Sequence, residues 1–133
     1  MFAFRSVLVA GATCAALVFA PLALALDPPA GRIEGKRTDL TGAPGMEVIT
    51  SVTTFNPGDS VAVHFHNGVE ATYVIQGSMI QVPGKDPMML ETGTQGLNLR
   101  DVLHGGYTVV GPMPLKVFAV HIVDKGKPLY DTK

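Results

Sequence analysis

The sequence predicts an all-β fold, a jelly-roll β-barrel of one domain, on three observations. Its apolar residues run in short stretches rich in β-branched side chains, such as Met46 to Phe55 (MEVITSVTTF). Glycine and proline, 15 and 10 of 133 residues, punctuate those stretches at short intervals. Beyond residue 25, no stretch keeps a 3.6-residue apolar period for the roughly 10 residues a helix requires. Many short strands between Gly/Pro turns pack as a sandwich or barrel, and a closed barrel also gives inward residues a cavity to face.

Residues 1–25 carry one charge, Arg5, then an apolar run, and end in Ala23-Leu24-Ala25, a small-residue cleavage pattern. They read as a secretory signal peptide cut after Ala25, which places the protein outside the cytoplasm, in the periplasm or the extracellular space. A membrane anchor is the alternative, since the run approaches the ~20 residues of a span; Pro21 and the Ala-x-Ala pattern argue against it. Residues 26–32 (LDPPAGR) form a proline-rich, flexible lead, and 33–133 form the barrel domain. Strands are expected near Ile33 to Lys36, at Met46 to Phe55, Ser60 to His66, Val69 to Gln76, Met79 to Val82, Met88 to Glu91, Thr108 to Val110 and Leu115 to Val123. Asn56-Pro57-Gly58, Pro83 to Pro87 and Gly111 to Pro114 are the clearest turns between them.

Cleavage removes the single cysteine, Cys14, so the exported chain forms no disulfide and depends on its core. Gly11-Ala12-Thr13 before Cys14 lacks the aliphatic residue of a lipoprotein signal. Loss of Arg5 leaves 9 Lys and Arg against 11 Asp and Glu, a net charge of −2 with no basic run. Nucleic acid and, after cleavage, anionic membrane are poor partners for that surface. About 108 residues remain, enough for one core.

The chemistry concentrates in Gly58 to Gly77. On a strand successive side chains alternate, so His64 and His66 share a face and Phe65 takes the other. Two imidazoles on one face make half a metal site, and Glu70 follows four residues later. Asn67-Gly68 between them has the composition of a two-residue hairpin turn. Such a turn would oppose Phe65 to Glu70 and point the carboxylate away from the histidines. A three-residue loop, Asn67 to Val69, would restore Glu70 to their side, and a metal bond outweighs a turn preference of about 1 kcal/mol.

Gly58, five residues, His64, one, His66, three, Glu70, six, Gly77 resembles the first motif of the cupin family at every fixed position. Gly93 and His104 stand at the separation of the second motif, where Leu99, Asp101 and Thr108 replace its proline, second glycine and asparagine. The ending VFAVHIVDKGKPL is also similar to small single-domain bacterial cupins. The resemblance covers most of the chain after the leader. It implies a small barrel with one divalent transition metal held by His64, His66, Glu70 and His104, and a homodimer joined through an outer sheet face. Three imidazoles and one carboxylate suit Fe, Mn, Ni, Cu or Zn and not Ca or Mg, and leave coordination positions open for a ligand.

His121 alternates with Val117, Ala119 and Val123 on the last strand and reads as a packed, hydrogen-bonded histidine, with a role behind the ligands or as a substitute ligand kept open. Met79, Met88, Met89 and Met113 lack thioether-site spacing and read as packing. Tyr73, Gln76 and Tyr107 line the cavity or pack; Arg100 and Asp101 read as a solvated loop pair. Small Ser60 and Ala62, alternating with His64, are expected inward, leaving room for a small-molecule ligand. Two functions follow. One is an enzyme, resembling the dioxygenase branch of the family, with Glu70 moving a proton if it leaves the metal. The other is a non-catalytic module that binds a small ligand through the metal or sequesters the ion. Polar groups converging beside the open coordination position distinguish the first from the second.

Overall fold

The computed structural model describes residues 24–132, and every regular element among them is a strand. The expected leader therefore lies outside the described residues except for its last two. The strands are β1 (Leu24–Leu26), β2 (Arg32–Asp39), β3 (Met46–Phe55), β4 (Ser60–Val61), β5 (Gly68–Gln76), β6 (Ser78–Gln81), β7 (Met88–Leu90), β8 (Gln95–Asn98), β9 (Tyr107–Val109), β10 (Leu115–Asp124) and β11 (Tyr130–Thr132). A five-stranded sheet runs β2-β3-β10-β5-β8, a four-stranded sheet runs β4-β9-β6-β7, and β1 pairs with β11.

The pairing is nested. β3 pairs with β10, β4 with β9, β5 with β8 and β6 with β7, all antiparallel. This is one long hairpin wrapped so that successive pairs alternate between two facing sheets, which is the jelly roll. From β3 to β6, and again from β7 to β10, the chain passes from one sheet to the other at each step, so residues close in sequence line opposite walls of one interior.

Alternation along the long strands supplies that interior. On β3 the residues Glu47, Ile49, Ser51, Thr53 and Phe55 are buried and their neighbours half-buried. On β10 Leu115, Ala119, His121 and Val123 are buried in step with them. Phe55, Val61, Val74, Ile80, Val109 and Leu115 close one end of the barrel as an apolar cluster, with Leu90, Tyr107 and Val117 packed against it. Each such side chain stabilises the fold by about 1.5–3 kcal/mol through burial. The polar residues of the functional site occupy the other end.

Three expectations are corrected. The strand that begins at Ser60 ends at Val61; beyond it the chain makes only isolated bridges, His64 to His104 and Phe65 to Asp131. The unpaired Ala62 and Val63 break the alternation, so Ser60 and Ala62 are exposed and Val61 faces inward. Asn67-Gly68 is not a hairpin turn of either length, because β4 and β5 belong to different sheets and Gly68 is the first residue of β5. Glycine is required there by crowding: a Cβ would stand 2.1 Å from the Ile122 carbonyl oxygen on β10. The short strands β8 and β11, and β1, escape sequence reading, since three or four residues with little alternation carry no period.

Candidate metal centre

Register builds one wall of the site. Ile49, His121, Glu70 and Asn98 lie side by side across β3, β10, β5 and β8, all turned inward. Directly opposed residues on antiparallel strands share a face at close range. Glu70 is thereby framed on both flanks: Asn98 Nδ2 donates to its Oε2 at 2.6 Å, and His121 Nε2 lies 3.2 Å from its Oε1.

The opposite wall comes from two irregular segments. His64 and His104 bridge through reciprocal backbone hydrogen bonds of 3.0 and 2.8 Å, which fixes their rings beside each other. Gly105 and Gly106, with φ of 84° and 76°, turn the chain sharply after His104 in the left-handed region that glycine adopts without strain. Phe65 pairs with Asp131, so its neighbours His64 and His66 face away from that C-terminal segment's backbone bridge and into the barrel.

Three carbonyls set the tautomers. The Nδ1 of His64 donates to Ala62 O at 2.8 Å, that of His66 to Leu129 O at 2.5 Å and that of His104 to Val102 O at 2.9 Å. A neutral ring with its proton on Nδ1 leaves Nε2 with a free lone pair, the arrangement of metal-binding histidine. The Nε2 atoms of His66 and His104 are 3.1 Å apart, and each lies 3.4 Å from Glu70 Oε2. Lone pairs at that range repel unless a cation or a proton lies against them. An ion bonded at about 2.1 Å to two donors holds them about 3.0 to 3.4 Å apart at octahedral to tetrahedral angles. The observed separations fit one transition-metal ion.

Ligand atoms of His64, His66 and His104 lie within 4.8 Å of one another, as do those of His66, Glu70 and His121. All four histidines of the sequence meet at this point. His121 corrects the expectation of a hydrogen-bonded core residue: it is fully buried, and neither ring nitrogen has a hydrogen-bond partner, its approach to Glu70 being poorly directed. A buried ring left in that state costs about 1–3 kcal/mol per unsatisfied group, which a bound cation beside it would offset.

The charges respond to this packing. Burial lowers the His64 ring to about 4, its bond to Ala62 only partly opposing. Burial also lowers His121 despite the carboxylate facing it, whereas at His104 the pull of Glu70 outweighs burial and the ring is raised. Glu70 itself would be raised by burial, but the surrounding imidazoles of His104, His121 and His66 hold it far below the usual carboxylate range. Burial thus favours the neutral ring at His64 and His121 beside an ionised carboxylate, the forms that bind a metal.

A cavity of about 230 Å³ opens beside the cluster. Glu70, His64 and His104 form part of its wall, Asn98, Tyr107 and Tyr130 add polar groups, and Phe55, Val61, Val74 and Val117 make the apolar part. Burial and the nearby Glu70 push the Tyr107 hydroxyl up to about 12; burial likewise pushes Tyr130 up to about 12. The Tyr130 ring lies 5.0 Å from His64 and 5.2 Å from His66, backing both.

The structure brings His64, His66, Glu70 and His104 together. Tyr107 lines the cavity, while Tyr73 is exposed and Gln76 bonds the Pro114 carbonyl. Arg100 forms a surface ion pair with Asp124 at 2.8 Å, and Asp101 adopts a φ of 62° where the family motif has glycine. Asn98, Leu129 and Tyr130 were not legible beforehand, since only strand pairing and the C-terminal bridge carry them to the site.

No protein-family model matches the sequence, and no curated protein matches it either. Solved structures do. An uncharacterised protein with a double-stranded β-helix domain from Klebsiella pneumoniae is similar over 80% of this chain and 90% of its own, at 21% identity and a TM-score of 0.49. A cupin superfamily protein from Desulfitobacterium hafniense is similar over 74% and 83%, at 15% identity and 0.44. The DMSP lyase from Ruegeria pomeroyi is similar over 60% of this chain, at 16% identity and 0.47, and the matched part spans only 40% of that lyase. The described residues form an all-β jelly roll similar to cupin and double-stranded β-helix proteins, with a buried His/Glu cluster that fits a metal ion.

Proposed function

We propose that the protein is an exported, metal-dependent oxidoreductase of dioxygenase-like type acting on a small organic molecule. One observation carries the metal: the Nε2 atoms of His66 and His104 and the Oε2 of Glu70 converge with metal-ligand separations, and three backbone carbonyls hold the tautomers that this requires. Catalysis is favoured over simple sequestration because Asn98, Tyr107 and Tyr130 also border the cavity at the cluster, where a bare ion store would need only apolar walls. Export rests on the leader-like residues 1–25.

His64, His66, His104 and Glu70 would hold the ion, with His121 beside them. A divalent Fe, Mn, Ni, Cu or Zn supplies Lewis acidity there and, where redox-active, a path for electrons to O₂. The chain's own part is positional and protonic. Asn98 holds Glu70 Oε2, so the carboxylate is aimed before any ligand arrives. Glu70 would be the carboxylate that takes a proton from a substrate in the cavity, and the Tyr107 hydroxyl, protonated at neutral pH, would donate a hydrogen bond to oxygen there. The apolar cluster excludes water from one side.

Metal analysis of the exported protein, followed by oxygen-uptake screening of the loaded form, tests this. About one equivalent of transition metal and substrate-dependent uptake are expected. Bound metal without uptake across a broad panel would favour the non-catalytic ligand-binding or ion-sequestering module.

We also propose a homodimer through the outer face of the five-stranded sheet. Ile33, Val52, Phe118 and Tyr73 stand in one register row across β2, β3, β10 and β5, with Ile33, Phe118 and Tyr73 exposed. A continuous apolar row of this kind is what a self-complementary interface covers. Sedimentation should give a dimer that Phe118→Lys converts to monomer; a wild-type monomer at high concentration would sink the idea.

A further inference from the structure

The charge inventory of the cavity is narrow. Among its lining residues Glu70 is the one carboxylate, there is no Lys or Arg, and the remaining polar groups are threonine and asparagine side chains, tyrosine hydroxyls and imidazoles. His64 and His104, as ligands of the ion, would be neutral rings. Arg32, which touches Tyr130, is not part of the wall and pairs with Glu34 at 3.3 Å, so among the described residues a ligand that enters finds no cation in the wall itself to pair with an anionic group away from the metal end. An unpaired charge in such a place is strongly disfavoured.

The His/Glu end differs. One carboxylate and neutral imidazoles around a divalent ion leave about one net positive charge, which one anionic oxygen neutralises. The rest of the ligand must lie against Phe55, Val61, Val74 and Val117. A cavity of about 230 Å³ admits one six-membered ring with a short substituent, given that engineered cavities of about 150 Å³ take benzene. We infer that the site takes a compact monoanion, a carboxylate, enolate or phenolate on an apolar body of about one ring, and rejects dianions such as dicarboxylates and phosphate.

This rests on the metal reading above, and the test separates the two. The exported protein is loaded with Co²⁺, metal content is measured, and benzoate, phthalate and inorganic phosphate are titrated by calorimetry while the Co²⁺ visible spectrum is followed. Benzoate is expected to bind and perturb the spectrum, with phthalate and phosphate at least about tenfold weaker. Thr94, exposed on the loop before β8 and at the cavity wall, offers a second arm. Thr94→Arg supplies the missing cation and should shift the phthalate-to-benzoate preference toward phthalate by about tenfold. Failure to load metal overturns the metal centre and this assignment with it. Metal uptake with phthalate or phosphate bound as tightly as benzoate, benzoate binding that leaves the spectrum unchanged, or no shift in Thr94→Arg overturns the ligand class alone.

Discussion

Glu70 and His121 are directly opposed residues of neighbouring antiparallel strands, with Oε1 and Nε2 3.2 Å apart in the barrel interior. The opposition converts a sequence distance of 51 residues into a contact, and it gives the carboxylate two differently occupied oxygens. Oε1 faces His121, whereas Oε2 faces His66, His104 and the Asn98 amide.

His121 should therefore act on the metal through Glu70 or beside it, and less strongly than a residue whose tautomer is locked for ligation. Replacing His66 by alanine is expected to remove high-affinity metal binding. His121→Ala should weaken it by about 10- to 100-fold, the usual effect of losing a group that supports a ligand. Competition titration against a chromogenic chelator reads both. Equal affinity in His121→Ala and wild type would remove His121 from the centre, and a larger loss in His121→Ala than in His66→Ala would reverse the ranking.

Acid should destabilise the metal-free protein. His64 and His121 have folded pKa values below that of a free imidazole, so the unfolded chain takes up protons first as pH falls below about 6.5, and stability declines; for His64 the decline continues to about 4. His104, raised in the fold, opposes them: it adds stability below about 6.5 that is lost as pH rises through its folded value. Glu70, held low, contributes stability above about 4.5 that is lost as pH falls further. The net expectation is a falling urea midpoint from pH 7 downward, steeper below pH 4.5. A midpoint that rose between pH 7 and 5 would show that His104 dominates and that His64 is not buried as neutral imidazole.

Bound metal should raise the melting temperature, since a ligand confined to the native state at a hundredfold excess over its Kd adds about 2.7 kcal/mol. The increment should shrink on acidification, because protons compete for His64, His66 and His104. Melting curves with and without chelator at pH 7.5 and 5 measure it. Identical curves at pH 7.5 would exclude an ordered, tight site.

Much of the barrel was legible because β3 and β10 are long enough for alternation to speak, and their ends agree with the sequence to within a residue. The histidine spacing also pointed to one locus. What the sequence withheld is pairing. His121 could be assigned to an inward face, yet nothing in its own strand says that Glu70 is its neighbour. Asn98 sits in QGLN, too short and too polar to announce a strand, and Tyr130 reaches the site only because Phe65 bridges Asp131. Ser60 and Ala62 face outward, against strict alternation from His64, for a related reason: no partner strand maintains the pleat through Ala62 and Val63.

Gly68 exposes the same lesson at a single residue and gives the sharpest mutational expectation. Beside Asn67 it has the composition of a turn, where alanine would be resisted for its φ. In the structure it opens β5, and its surroundings resist a side chain for a different reason: an added Cβ would stand 2.1 Å from the Ile122 carbonyl oxygen and 2.5 Å from Val123 Cα. Both atoms are backbone and cannot rotate away, so β5 and β10 must separate where Gly68 pairs with Val123. Glu70 and His121 form the inward pair two residues along the same ladder. Gly68→Ala should thus cost about 3 kcal/mol of stability and weaken metal binding together. Gly58, whose φ is 93° in open space, is a suitable contrast: Gly58→Ala should cost about 1–2 kcal/mol through left-handed strain and leave metal affinity unchanged. Urea titration and chelator competition on both variants decide the matter. If Gly68→Ala loses neither stability nor metal, the close approach of β5 to β10 at Gly68 is wrong, and the framing of Glu70 by His121 would fall with it.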